Sequence, residues 1–440
     1  MVLSVKIERM TSHSRQTPAC PPAPIFSRWI PSLLIGLLTV TLAACLAPNG
    51  GASQPTAPTV DISAASTQAV ATIFAGASQT AQAALPTATP TPLPSPTLDP
   101  NRTPPPLPAA FTTELLNPID TPHTYLADTC QYLRSKWDPA NAAPGTIVIP
   151  IMFHGIPDEN ISDPNEITKP QLKKLIKDLK DQGFEAISAS QLADFLEFNT
   201  KIPPRSFVMI LDDRRPGTAY GIFQPILEDN NWKMTLAWPI GYGDDTTDKK
   251  PATNVAGDPQ AGTYPNLWAQ IEHYYSSGYF EVESHGYFHN IPMDDNSSDE
   301  YLHQELDLSM QTLQEHFGRK PVAIIWPGGG FGKKPVQFAR AAGYRIGFTI
   351  NPRGPVMFNW VPQADQSDPQ RPVYLPEGPA GDPLLTLPRY WPSQLSAELD
   401  KIRNIGSQAA AHAEMARADE IEYYDIVCAP KYGPMPVVGP

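Results

Sequence analysis

Cysteine is scarce in this sequence, with four residues among 440. Two of them, Cys20 and Cys45, lie near the N-terminus. That leaves Cys130 and Cys428, near opposite ends of the part expected to fold, either as one disulfide stapling the termini or as two buried free thiols. Basic residues are outnumbered, 32 Lys and Arg against 45 Asp and Glu, for a formal net charge of −13. Residues 1–110 hold a balance of +2, so the remainder carries −15. Phosphate contact needs a basic patch, which argues against nucleic acid as a partner. Long apolar runs are also missing from the N-terminal region. The run from Ile30 to Val40 is too short to span a bilayer, which takes about 20 residues.

Proline, in contrast, is abundant: 52 residues against an ordinary usage of about 5%, with much of the excess before residue 110. The chain begins with Lys6, Arg9, Arg15 and Arg28, then the apolar run, then Leu42-Ala43-Ala44-Cys45. This is the pattern of a signal peptide over 1–45. Leu-Ala-Ala-Cys resembles the bacterial lipobox, which implies lipidation at Cys45 and a lipoprotein on the outer face of the cell membrane. An ordinary signal peptide would make the protein secreted. Residues 46–113 are rich in Ala, Thr, Pro, Ser and Gln, including Pro86-Thr87-Ala88-Thr89-Pro90. Such a segment cannot bury enough apolar surface to offset its ordering entropy and reads as a disordered, semi-extended linker.

From residue 114 to 440 the composition is that of a folded domain, with its clearest pattern over 146–350. Apolar runs at 145–153, 206–211, 234–238, 279–283, 321–326 and 343–349 read as buried strands. Between them lie amphipathic helices, among them 169–179 and 189–198, the latter capped by Ser188 or Ser190. Residues 299–317 carry Leu302, Leu306, Met310 and Leu313 on one face. Alternating strands and helices indicate an α/β fold with a parallel sheet, long enough for a barrel. Gly241–Tyr264 reads as a solvated insertion, 393–416 as a helix and 423–427 as a short strand.

Polar groups gather at the strand ends: His154, Asp212-Asp213, His285 and Trp326-Pro327-Gly328-Gly329. In a parallel barrel those ends open on one rim, where active sites are built. His285 and His289 would share one face if the turn between them were helical. Two imidazoles and a carboxylate can then hold one divalent cation.

These residues resemble the polysaccharide deacetylase family, also known as the NodB-homology domain or carbohydrate esterase family four. Ile202–Asp213 is similar to its first motif, an apolar strand ending in Asp-Asp. Ser284-His285-Gly286-Tyr287-Phe288-His289 matches the second, and Trp326-Pro327-Gly328-Gly329 resembles the third. The resemblance implies a distorted parallel (β/α) barrel of about seven strands. It also implies a divalent metal, zinc or else cobalt, nickel or iron, held by Asp213, His285 and His289. Asp212 would be the general base, and Gly328, Gly329 and Trp326 would serve the oxyanion or the substrate. The implied enzyme is a hydrolase of carbon–nitrogen bonds other than peptide bonds, removing acetyl groups from a cell-surface or extracellular polysaccharide or from peptidoglycan.

The sequence also departs from the family pattern. Arg214 stands where a Gly follows the Asp pair, followed by Arg215; an Arg there would either pair with Asp212 or obstruct the groove. No late Leu-x-His supplies a general acid. His154 is a candidate substitute or a structural strand-end histidine. Arg389, in Leu387-Pro388-Arg389, resembles a late Pro-Arg of part of the family. The missing acid leaves a second reading open, a non-catalytic carbohydrate-binding lipoprotein that keeps the metal site.

Overall fold

The structure, a computed structural model, describes residues 102–289 and 292–436. The expected signal peptide, Cys45 and most of the expected linker lie outside the described residues. In chain order the elements begin with β1 (Asp120–His123), α1 (Thr129–Trp137), β2 (Ile147–Phe153), α2 (Lys169–Asp181), β3 (Glu185–Ala186), α3 (Ala189–Phe198) and β4 (Arg205–Asp212). A helical turn at Pro216–Thr218 and a π turn at Ala219–Phe223 lead into α4 (Gln224–Asn230), then β5 (Met234–Trp238). The short hairpin β6 (Gly241–Tyr242) and β7 (Asp245–Thr246) precedes α5 (Leu267–Ser276) and β8 (Phe280–Ser284). Next come α6 (Asp299–His303), a π turn at Gln304–Leu308, α7 (Ser309–Phe317), β9 (Ala323–Ile325), α8 (Lys333–Ala342) and β10 (Ile346–Phe348). The chain ends with β11 (Val361–Ala364), the long α9 (Pro392–Tyr423), a π turn at Tyr424–Cys428 and α10 (Ala429–Tyr432).

Seven strands form one parallel sheet in the order β10-β9-β8-β5-β4-β2, with β3 paired to the lower half of β4. This is the parallel α/β arrangement expected from the strand–helix alternation, curled into a half-barrel. Its seam is filled by the extended segment 386–390. Leu387 pairs in parallel with Phe348 of β10, and Tyr390 pairs with Ile151 of β2. Pro150 sits in β2 without an N–H to give, which a strand bordering a seam tolerates; its carbonyl accepts from Tyr390 N–H at 2.8 Å.

Side chains alternate across the sheet. Ile149, Ile151, Phe207, Met209, Leu236 and Val282 pack outward against the helices. Val148, Val208, Ile210, Ala237, Ile325, Phe348 and Leu387 form the interior. The same alternation puts Asp212, two residues past Ile210, and Arg389, two past Leu387, on the interior side. The helices start where the sequence allows their free N–H groups to be capped: Thr168 with Gln171 on α2, Ser188 with Gln191 on α3, both reciprocal boxes.

Cys130 and Cys428 form a disulfide with Cα atoms 5.3 Å apart, tying α1 to the π turn after α9. Packing contacts also lie on the N-terminal side of residue 114. Phe111 packs on Trp360, whose indole N–H donates to the Phe111 carbonyl at 2.9 Å. Its ring supplies the apolar area that the Thr/Pro tract before it lacks. The strand expected at 423–427 is helical. Although Tyr, Ile and Val favour strands, Tyr424 and Cys428 are buried against Leu133, and that packing with the disulfide prevails over local propensity. Among the described residues no helix is long and apolar enough to cross a membrane.

Candidate metal-centred active site

Strand β4 is buried along its length and delivers Asp212 and Asp213 to the C-terminal rim. Asp213 has φ of 72°, a left-handed conformation that Asp tolerates better than most residues. The two carboxylates therefore diverge. Asp212 points inward, 3% exposed, and meets Arg389, which is fully buried. Arg389 Nη1 donates to both Asp212 oxygens, at 2.7 and 3.0 Å, and its Nε donates to the Thr349 carbonyl at 2.7 Å. Burial pushes the Asp212 carboxyl up, but Arg389 and the nearby His285 and His154 more than offset this, holding it below the ordinary carboxylate value.

Asp213 turns toward the two histidines. One ligand atom each from Asp213, His285 and His289 lies within 4.8 Å of the others. The His285 Nδ1 sits 2.8 Å from the Ile325 carbonyl. A carbonyl only accepts, so Nδ1 carries the proton and Nε2 keeps its lone pair free. His289 Nε2 faces that lone pair at 3.0 Å and lies 3.8 Å from Asp213 Oδ1. Burial, reinforced by the neighbouring His285, pushes His289 down to about 4, so it is neutral at pH 7. Burial also lowers His285, against the pull of Asp212 and Asp213. Two neutral imidazoles aimed at one point beside a carboxylate are the donor set of a divalent-cation site with positions left open. The residues fit the cation that the motifs imply.

The turn carrying the pair is not helical. Gly286 and His289 have φ of 79° and 55°, and the loop is held from both sides. The carbonyls of Gly286, Tyr287 and Phe288 accept from the N–H groups of Ile240, Gly241 and Gly243. On the other side, the N–H groups of Tyr287 and Phe288 donate to Glu305 at 2.7 and 3.0 Å. A helix would have left His289 governed by spacing alone; here two remote segments set it.

The 241–264 stretch is accordingly more than a solvated insertion. Its hairpin pins the histidine loop, and Tyr242 donates to Asp213 Oδ1 at 3.0 Å. Its middle is anchored by buried Asp258, which accepts from Tyr264 and Tyr274. Neither arginine after the Asp pair reaches Asp212. Arg215 donates to Asp213 Oδ2 at 3.0 Å, while Arg214 lies over the Tyr242 ring at 4.6 Å and faces Asp245 at 3.6 Å. Asp212 is already taken by Arg389.

His154 follows β2, with its Nε2 3.8 Å from Asp212 Oδ2 and its ring stacked on Trp391. Its Nδ1 is buried with no partner among the described residues. Gly328 and Gly329 have φ of 58° and 71°, as the turn after β9 requires. The donors expected there for an oxyanion are largely engaged elsewhere. Gly329 N–H donates to the Trp326 carbonyl at 3.1 Å, and the buried Trp326 indole donates to the Leu385 carbonyl at 2.8 Å. Trp326 is thus a core residue, because its indole finds both its apolar packing and its acceptor inside the fold. Tyr242, Glu305 and Trp391 were not singled out from sequence. Glu305 had a signal: a carboxylate on the same helical face as Leu302 and Leu306.

Residues 200–347 match the family model described as polysaccharide deacetylase. No curated protein matches the sequence. Among solved structures, the chain is similar to a Streptococcus pyogenes deacetylase, PplD, in complex with acetate (18% identity, 58% of this chain and 98% of that one, TM-score 0.43). It is also similar to a de-N-acetylase from Aggregatibacter actinomycetemcomitans (19%, 56% and 94%, TM-score 0.40). A third similarity is to BC0361, a polysaccharide deacetylase from Bacillus cereus (18%, 57% and 69%, TM-score 0.39).

Proposed function

We propose that this chain is a hydrolase of the polysaccharide deacetylase family, a metal-dependent enzyme that removes N-acetyl groups from amino sugars of a polysaccharide outside the cell membrane. The observation that carries the reading is the convergence of Asp213, His285 and His289 within 4.8 Å beside an ionised, arginine-paired Asp212. Asp213, His285 and His289 would hold a divalent cation, zinc or else cobalt, nickel or iron, which when bound would supply Lewis-acid polarisation of the acyl oxygen and a lowered water pKa.

The chain's own residues do the rest. Asp212 is kept charged by Arg389 and takes the proton of the attacking water. His154, across from it at 3.8 Å, delivers a proton to the departing nitrogen as the carbon–nitrogen bond breaks. Acetate and a free amine leave. Arg389 itself acts through Asp212. Tyr242 and Arg215 orient the Asp213 carboxylate, one on each oxygen. The lipid anchor at Cys45 and the Pro-rich spacer, read from sequence, would hold the domain at the outer face of the membrane.

The test is acetate release by the full chain from N-acetylglucosamine oligomers and peptidoglycan, after chelation and again with zinc or cobalt restored. Activity that disappears with chelator, returns with metal and is lost in Asp212→Asn is the expected result. No acetate from any acetylated glycan with metal supplied overturns it. Carbohydrate binding without turnover is the alternative, and one observation favours it: the Gly329 and Trp326 donors are engaged within the fold. Glycan retention by a wild-type chain that releases no acetate would select that reading.

A further inference from the structure

The loop joining His285 to His289 has little regular structure, yet the N–H groups of Tyr287 and Phe288 converge on one side chain. Glu305 is fully buried. Its Oε2 accepts from Tyr287 N–H at 2.7 Å and its Oε1 from Phe288 N–H at 3.0 Å. Two successive N–H groups pointing at one carboxylate make an anion nest. Here the anion comes from the protein's own helix. Glu305 is three residues after Leu302 and four before Ser309, both buried, so helical geometry aims it inward. It lies in the π turn 304–308, an element common near functional sites. The fit is close: a Cβ on Gly286 would stand 2.5 Å from Glu305 Oε2.

We propose that Glu305 is a positioning residue for the metal centre. By gathering the N–H groups of Tyr287 and Phe288, the two residues before the ligand, it holds His289 at φ of 55° and sets the 3.0 Å separation of the two Nε2 atoms. The hairpin fixes the same loop through its carbonyls, so the loop's carbonyl side survives if Glu305 is altered. This inference rests on reading Asp213, His285 and His289 as the cation site.

A glutamine at 305 keeps the volume but offers one acceptor oxygen, and its NH₂ would face an N–H donor. The experiment compares the full-length wild type with Glu305→Gln and, as an approach from the opposite side, Gly286→Ala. Each is titrated with Co²⁺ alone, read by its d–d absorption and by competition with a chelator, alongside circular dichroism of the metal-free protein. The expected result is a folded Glu305→Gln that binds Co²⁺ about 10–100-fold more weakly, with a changed d–d band. Gly286→Ala should move both readouts the same way. Wild-type affinity and spectrum in Glu305→Gln overturn the inference while leaving the metal site intact. So does a Glu305→Gln chain that fails to fold, since the residue is then structural. A wild type that takes up no Co²⁺ defeats the metal reading itself, and the inference with it.

Discussion

Replacing Arg389 with methionine should expose how strongly the site's centre depends on one buried charge pair. Arg389 is fully buried and Asp212 nearly so, and Nη1 contacts both carboxylate oxygens. At such separation and an effective dielectric near 20, the attraction is on the order of 4–5 kcal/mol. Losing the arginine leaves Asp212 as an uncompensated buried carboxylate, at a cost of about 3–5 kcal/mol. Asp212→Asn leaves Arg389 in the mirror predicament and should cost a similar amount. The double variant buries neither charge, so it should be more stable than Arg389→Met alone, with a coupling energy of about 2–3 kcal/mol. Urea unfolding of the metal-free protein, followed by tryptophan fluorescence, completes the cycle. A pH series adds an independent check. Without Arg389, burial lifts the Asp212 pKa above its unfolded value, and the Arg389→Met deficit should shrink as pH falls and the carboxyl protonates. Additivity within about 0.5 kcal/mol, or a deficit indifferent to pH, would refute the charge pair as the main source of the loss.

Removing the Cys130–Cys428 disulfide, which closes a separation of 298 residues, should lower stability by about 2–4 kcal/mol, measured as the urea midpoint of Cys130→Ser/Cys428→Ser against wild type. Gly347→Ala should destabilise by about 1–3 kcal/mol, because a Cβ there would lie 2.4 Å from the Leu385 carbonyl oxygen and wedge the seam open; a wild-type melting temperature would contradict this. Burial raises the Glu377 carboxyl above 4.5, and its bonds to Arg353 and Asn351 only partly offset the shift. The folded state then holds that proton more tightly than the unfolded one, so Glu377 makes stability fall as pH rises from about 4.5 through the folded pKa. Glu377→Gln should lose about 1–3 kcal/mol of charge-assisted bonding and lack that fall, checked by denaturation between pH 4.5 and 8.

Which parts of this architecture could be read from sequence follows from the range of the interactions that build them. Strands β2, β4 and β5 are buried on both faces and so read as unbroken apolar runs. Helix α3 begins and ends at 189 and 198 as expected, because Ser188, Gln191 and Asn199 cap it locally. Metal ligands are legible for a similar reason: the chemistry demands particular residue types, and two of the three lie four positions apart. What holds those ligands is not local. The histidine turn was expected to be helical from its spacing; its actual shape depends on Glu305, 16 positions beyond His289, and on the hairpin near residue 241.

The arginine partner of Asp212 shows the limit most sharply. Arg214 is two positions away, and proximity along the chain made it the natural suspect. Yet the chain turns at Asp213 with a positive φ, and Arg214 leaves toward Tyr242 and Asp245. Arg389, 177 positions distant, arrives because the segment 386–390 fills the barrel seam and strand alternation from Leu387 turns its side chain inward. Seam closure is decided by backbone pairing with β10 and β2, which a sequence made of Pro, Leu and Arg does not announce. A late Pro-Arg therefore carries meaning only once the barrel closes. The same closing segment that completes the sheet also neutralises the site's buried carboxylate, so folding and the charge state of Asp212 are coupled through one short strand.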